Sequence, residues 1–390
     1  MKHPIIRVVT DRRFVRGTPA KILLILLIVN AIVFWRQAAL ERKRRENLLT
    51  NVETEPSPVG ARFDRSVGEK LEKFIPAIPD ARKQNLVLLV GMSQMYAINQ
   101  YHSGDRVIAE VMDDELSPQG TRVFGLAAPN LSNEEALFLL VAMSSDSATR
   151  PSVFLFGACF DKMRNMDLRE GYQRVLRNKA AVQRDVADLA NRYANRFPLA
   201  AAKLKSTLTS ATTAANLAVD STFEMRLRDR VSRAVPLVKA RRDINSFILY
   251  DVLYTARNKL FHITTTTKRP MLPDRYETNK QFLMMMIEEA KRRNIKFATY
   301  IVPLNPQSAN PYIPEEYAQF KVWAEQTAKT YAVPFSNLEN AVPAEDWGLT
   351  VGGPDFKHFK GAGHVRTAEA IIDHFRSVLT GTLASSVASK

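Results

Sequence analysis

A serine directly after a short apolar run, and an aspartate three residues ahead of a histidine near the far end of the chain, are the residues with the plainest chemical capacity. The serine is Ser93, in Gly91-Met92-Ser93-Gln94, which follows residues 86–90 (LVLLV). The pair is Asp355 and His358, inside residues 354–364 (PDFKHFKGAGH), ahead of an amphipathic terminal stretch. A serine hydroxyl becomes a nucleophile when an imidazole takes its proton, and a carboxylate on the other ring nitrogen holds that imidazole in the required orientation. Each fragment alone has a plainer reading: Ser93 as a helix N-cap, Asp355 as a capping residue beside an exposed histidine. Together they supply a nucleophile, a general base and an orienting acid.

Other polar residues gather at the same kind of position, just after an apolar run. Asn130 lies in residues 125–132 (GLAAPNLS), and its amide could donate to a developing oxyanion. Gly91 lies on the approach to Ser93. Asn305, in Pro303-Leu304-Asn305-Pro306, is either a substrate contact or an ordinary Asn-Pro turn. Cys159 is the single cysteine, so no intrachain disulfide forms; it reads as a buried strand-end residue. His102, His364 and His374 show no metal-ligand spacing, Met284–Met286 reads as core, and neither a metal nor an organic cofactor is expected.

The elements that must position these residues follow from hydropathy. Short apolar runs at 86–90, 122–126, 153–156 and 297–302, with a fifth at 333–335, alternate with longer helical stretches. That alternation predicts an α/β domain with a mostly parallel sheet, its strands buried on both faces. The carboxyl edge of such a sheet is where ligands bind, and Ser93 sits there. Between the third and fourth runs lies an insertion, residues 165–280, in which Val182, Val186, Leu189, Tyr193 and Phe197 recur at helical spacing until Pro198. It is expected to form a mainly helical subdomain between a first part (62–164) and a second part (281–390) of the α/β domain.

The N-terminal region reads differently. Residues 22–35 (ILLILLIVNAIVFW) are nearly all apolar and flanked by Lys21 and Arg36, which predicts a membrane anchor over 20–40, extended by Ala20 and by 38–40. A basic segment (1–19) precedes it, and residues 41–61, with two prolines in TNVETEPSPVG, suit a linker. Basic residues are nearly balanced about the run, so they do not set its orientation. The composition, 46% hydrophobic and 24% charged, is that of a globular chain and excludes disordered, collagen-like and many-pass membrane classes. Lys and Arg number 55 against 40 Asp and Glu, a net +15 that favours anionic surfaces. No zinc-finger or RNA-binding motif accompanies the charge, so nucleic acid is not the expected partner.

The two end blocks resemble the SGNH/GDSL hydrolase superfamily, whose nucleophile follows the first strand and whose Asp-x-x-His precedes the last helix, with a glycine five residues after the histidine. Gly363 matches that glycine. The middle blocks depart from the pattern: Asn130 stands where the oxyanion-hole glycine is usual, and Gly157-Ala158-Cys159-Phe160-Asp161 lacks the asparagine that names the family. With the anchor and the insertion, these departures make the chain look like a divergent membrane-tethered branch that includes proteins of D-alanyl transfer to teichoic acid and of exopolysaccharide O-acetylation.

That resemblance implies an SGNH-like three-layer sandwich with Ser93, Asp355 and His358 as catalytic triad and Gly91, Asn130 and Asn305 near the oxyanion or substrate. It further implies single-pass attachment to the cytoplasmic membrane with the catalytic domain on the extracytoplasmic, periplasmic side. The expected partners are membrane lipid through the anchor, a multipass membrane-bound O-acyltransferase, and a polysaccharide or other glycan acceptor. The activity expected is serine acyl transfer in O-acylation of a cell-envelope glycan, with two alternatives: an esterase of envelope glycan esters, and a non-catalytic glycan-binding scaffold that kept the fold.

Overall fold

The computed structural model describes residues 75–219, 267–350 and 353–380. The basic segment, the anchor over 20–40, the linker and residues 220–266 of the insertion lie outside the described residues. Among the described residues no helix is long and apolar enough to cross a membrane.

Five strands form one parallel sheet: β1 (Asn85–Gly91), β2 (Thr121–Ala127), β3 (Val153–Ala158), β4 (Lys296–Ile301) and β5 (Phe335–Asn337), in the order β2-β1-β3-β4-β5. Leu86 to Val90 of β1 have no exposed surface, as expected of a central strand covered on both faces. Each such side chain contributes about 1.5–3 kcal/mol by leaving water.

The helices that follow are α1 (Ile108–Leu116), α2 (Asn133–Ser144), α3 (Glu170–Asn178), α4 (Ala180–Arg192), α5 (Pro198–Val219), α6 (Pro273–Arg292), α7 (Pro314–Tyr331) and α8 (Gly361–Leu379). Local chemistry marks their starts. Ser132 accepts from the Glu135 N–H at 3.1 Å while Glu135 Oε2 accepts from the Ser132 N–H at 3.0 Å, a reciprocal cap on α2. Pro273 and Pro314 open α6 and α7, where a missing N–H costs nothing.

The chain leaves β1 for β2 in one direction and reaches β3, β4 and β5 in the other. Right-handed crossovers therefore put α1 on one face and α2, α6 and α7 on the opposite face. The contacts agree, α8 packing against α1 and α2 against α6. The result is an α/β architecture with helices covering both faces of a parallel sheet. The reversal of strand order falls between β1 and β3, the place in an open α/β sheet whose carboxyl edge commonly takes ligands.

The described part of the insertion forms α3 to α5. Val182, Val186 and Leu189 of α4 join the same core as the sheet. Glu289 of α6, without exposed surface, accepts from Arg192 at 3.0 Å, Arg292 at 2.6 Å and Arg293 at 2.6 Å, fastening α4 to α6. Helix α6 runs through residue 280, so the sequence-derived break falls inside a continuous element.

A second, two-stranded antiparallel sheet pairs β6 (Trp347–Thr350) with β7 (Gly353–Phe359). Trp347 pairs with Phe359 and Leu349 with Pro354, so two steps along β6 are matched by five along β7. The excess residues of β7 bulge out of the ladder.

Candidate active site

Ser93 is positioned by the end of β1. Gly91 closes the strand, Met92 stays extended at φ −99° and ψ −171°, and Ser93 begins a single 3₁₀ turn, Ser93–Met95. The turn folds back over the strand end, Met95 N–H donating to Met92 at 3.0 Å and Ala97 N–H to Ser93 at 2.8 Å. This close return explains Gly91: a Cβ there would sit 1.6 Å from Met95 Sδ. Gly91 makes room for the turn, and its carbonyl accepts from Ala128 N–H at 3.3 Å, drawing the end of β2 alongside. The Gln94 amide donates to the Pro303 carbonyl at 2.7 Å, which ties the turn to the segment after β4.

Asp355 and His358 come from the bulge in β7. Asp355 Oδ1 accepts from the backbone N–H of Lys357 at 3.0 Å and of His358 at 3.2 Å, curling four residues into a turn inside the strand. The same curl brings Asp355 Oδ2 to 2.9 Å from His358 Nδ1. Lys357 reaches Asp161, just beyond β3, at 3.7 Å, and Asp161 also pairs with Arg269 at 2.7 Å. The bulge is thus held to the carboxyl edge of the main sheet.

These two pieces meet across 265 residues of sequence: Ser93 Oγ lies 3.0 Å from His358 Nε2. Burial pushes the Asp355 carboxyl up, but the hydrogen bond and charge of His358 and the two backbone N–H donors outweigh it, holding the group below the usual carboxylate range. An ionised Asp355 keeps the proton of a neutral His358 on Nδ1. Nε2 is then the acceptor for the Ser93 hydroxyl, which is general-base geometry. Ser93 and Asp355 are buried, whereas the His358 side chain is 24% exposed, leaving its outer edge open to an incoming group.

Two further residues buttress this chain. His364, fully buried in the first turn of α8, lies with Nε2 at 3.3 Å from the Ala97 carbonyl and its ring edge-on to Phe359. Burial pushes it down to about 4, so it is neutral at physiological pH. Asn99, also buried, donates from Nδ2 to Asp355 Oδ2 at 3.2 Å and to the Leu349 carbonyl at 3.0 Å. No motif singles out Asn99 in the sequence; its contact to Asp355 spans 256 residues and exists only in the fold.

The remaining expected site residues are placed as follows. Asn130 is exposed on the loop after β2, with φ +50°, the left-handed region that asparagine tolerates better than most side chains. Its carbonyl accepts from the Asn165 amide at 3.3 Å. Asn305 is buried and donates from Nδ2 to the Asp355 carbonyl at 2.8 Å, while its Oδ1 accepts from Gln307 N–H at 2.9 Å. Its amide therefore clamps the backbone of β7 and closes an Asx turn. Cys159 is buried with Sγ 3.8 Å from the Tyr312 hydroxyl, and burial pushes its thiol up, so it supplies neither a thiolate nor an amide donor. Among the described residues no group of three or more His, Cys, Asp or Glu side chains could hold a metal ion.

No protein-family model and no curated protein matches the chain. Among solved structures it is similar to a Bacteroides fragilis protein described as a candidate acylhydrolase, at 12% identity and a TM-score of 0.35, over 79% of this chain and 97% of that one. At that level the two share too little sequence and geometry to carry an activity across.

Proposed function

We propose that the chain is a serine ester hydrolase or acyltransferase working through an acyl-Ser93 intermediate. The observation that carries this reading is the hydrogen-bonded series Ser93–His358–Asp355, at 3.0 and 2.9 Å, beyond the carboxyl end of β1, where the strand order reverses. His358 Nε2 takes the Ser93 proton as Oγ attacks the carbonyl carbon of an ester, and N–H groups at the head of the turn stabilise the negative oxygen. Collapse breaks the bond to the leaving alcohol, which departs with the proton from His358. Water or a second hydroxyl, deprotonated by His358, then attacks the acyl-serine and restores the free enzyme.

The acceptor in the second step separates an esterase from a transferase. The sequence resemblance favours transfer to an extracytoplasmic polysaccharide or cell-envelope glycan, with the chain tethered to the cytoplasmic membrane beside a multipass O-acyltransferase. The partly exposed His358 edge favours hydrolysis, because water can reach the base. The scaffold alternative draws on Cys159, where the resembling family carries an amide donor. An intact proton-transfer series of three residues weighs against it.

The test compares the full chain with Ser93→Ala on an activated acetyl ester, with and without a glycan acceptor. Turnover that vanishes in Ser93→Ala supports the reading, and acetylated glycan in the products selects transfer over hydrolysis. Equal turnover in both proteins, or none in either while both are folded, contradicts it.

A further inference from the structure

Asn99 sits at the junction of the two halves of the site. It follows the Ser93 turn, and its backbone N–H donates to the Phe359 carbonyl, at 2.6 Å, at the end of the strand that carries Asp355 and His358. Its side chain is wedged. Nδ2 faces the Leu349 carbonyl at 3.0 Å and Asp355 Oδ2 at 3.2 Å, while a Cβ on Gly348 would fall 2.0 Å from Asn99 Cγ. Gly348 therefore lacks a side chain where the amide packs. Reversing the amide would set Oδ1 against two acceptors, so the chemistry fixes Nδ2 toward the carboxylate. Oδ1 is buried without a hydrogen-bond partner, an uncompensated acceptor retained while Nδ2 makes both bonds.

Asp355 Oδ2 thus accepts from two donors, His358 Nδ1 and Asn99 Nδ2, while Oδ1 is held by two backbone N–H groups. We propose that Asn99 is a positioning residue that acts through Asp355: by sharing Oδ2 it limits how strongly the carboxylate binds a protonated His358. Its catalytic consequence rests on the acyl-serine reading above; the hydrogen bond and its effect on His358 do not. A carboxylate oxygen relieved of one donor is a better acceptor for the imidazolium, so loss of the amide raises the pH at which His358 takes up a proton. Asn99→Leu removes the donor at similar size. Asn99→Asp keeps the shape and sets a second carboxyl against the first, pushing in the same direction.

The test is a titration of the full chain carrying ¹³C-labelled histidine, with the His358 resonance assigned by its loss in His358→Gln. Asn99→Leu is expected to move the His358 midpoint up by about half to one pH unit, and Asn99→Asp by more, from the typical strength of a hydrogen bond to a charged group. Gly348→Ala, which displaces the amide without altering it, moves the midpoint the same way. In turnover, the acidic limb of kcat/KM follows the same shift, with KM within about twofold because Asn99 does not touch substrate. A purely structural Asn99 would lower the folded fraction and leave the midpoint unchanged. An unmoved His358 midpoint in folded Asn99→Asp and Gly348→Ala overturns the proposal. A shifted midpoint in a protein whose ester turnover does not depend on Ser93 would sink the enzyme reading and leave the role of Asn99 standing.

Discussion

Asp355→Asn should nearly abolish turnover while leaving the fold standing, and the hydrogen bonds of the native carboxylate show why. Oδ1 faces the N–H groups of Lys357 and His358, and Oδ2 faces His358 Nδ1 and Asn99 Nδ2. The new NH₂ must take one of these places. At Oδ1 it would oppose two fixed backbone donors, whereas at Oδ2 it opposes the Asn99 amide and a histidine that can shift its proton. The second arrangement is the less costly, and it is reached by moving the His358 proton from Nδ1 to Nε2. Nε2 then points a proton at Ser93 Oγ and cannot accept one. Locking the wrong tautomer lowers kcat by about 10³- to 10⁴-fold, which is about 4–5.5 kcal/mol of barrier. The opposed Asn99 amide costs about 1–3 kcal/mol of stability, too little to unfold the protein. The assay is acylation by an activated ester in a single turnover, alongside urea denaturation of both proteins. Asp355→Asn acylating within tenfold of wild type would refute the reasoning, because it would mean that His358 does not depend on Asp355 for its tautomer.

Other consequences follow from the buried titratable groups. His364 is held down to about 4 by burial, against about 6.5 when unfolded. The unfolded chain therefore takes up a proton first as pH falls, and stability is lost between about 6.5 and 4, by about 2 kcal/mol at pH 5. His364→Gln should flatten that part of the pH dependence in urea denaturation, and an unchanged slope between pH 7.5 and 5 would contradict it. Lys162, 1% exposed, donates to the Gly157 carbonyl at 2.7 Å and lies 3.9 Å over the Phe156 ring, and burial pushes it down to about 7. Because its folded pKa is depressed, its cost is fully present below about pH 7 and fades as pH rises toward 10.5. Lys162→Met should then stabilise the protein at pH 7 by about 1–3 kcal/mol, with the gain shrinking at pH 10. A variant less stable than wild type at pH 7 would show that the bond to Gly157 outweighs the burial of charge.

The parts legible in the sequence are those whose chemistry is local. The runs at 86–90, 122–126 and 153–156 mark β1, β2 and β3 because a strand covered on both faces carries its own apolar signature. Val182, Val186 and Leu189 face the core as their helical spacing requires, but spacing says nothing of which core they join, and here it is that of the sheet. The β6–β7 pair carries no apolar run: Gly, Pro, Asp, Lys and His separate Phe356 and Phe359 from any apolar neighbour in β7, and its bulge is defined only by the register against β6. Asp355 and His358 were readable as a pair three apart, although a curl within a strand, not a free-standing turn, brings them together. Asn305 and Asn99 show the limit most clearly. Both are amides bonded to Asp355, one at its carbonyl and one at its carboxylate, and nothing local distinguishes them from ordinary turn residues.

The most direct measurement of the central claim is the intact mass of the full chain after exposure to a fluorophosphonate, which labels serines activated as nucleophiles. Peptide mapping would locate the label, with Ser93→Ala, His358→Gln and denatured wild type as comparisons. A single adduct on Ser93, lost in Ser93→Ala and in denatured protein and slowed by orders of magnitude in His358→Gln, is the result expected of a serine activated through His358 at 3.0 Å. A folded wild-type chain that takes no label at Ser93, or takes it as fast in His358→Gln, would contradict the assignment of this site as a serine acyl-transfer centre.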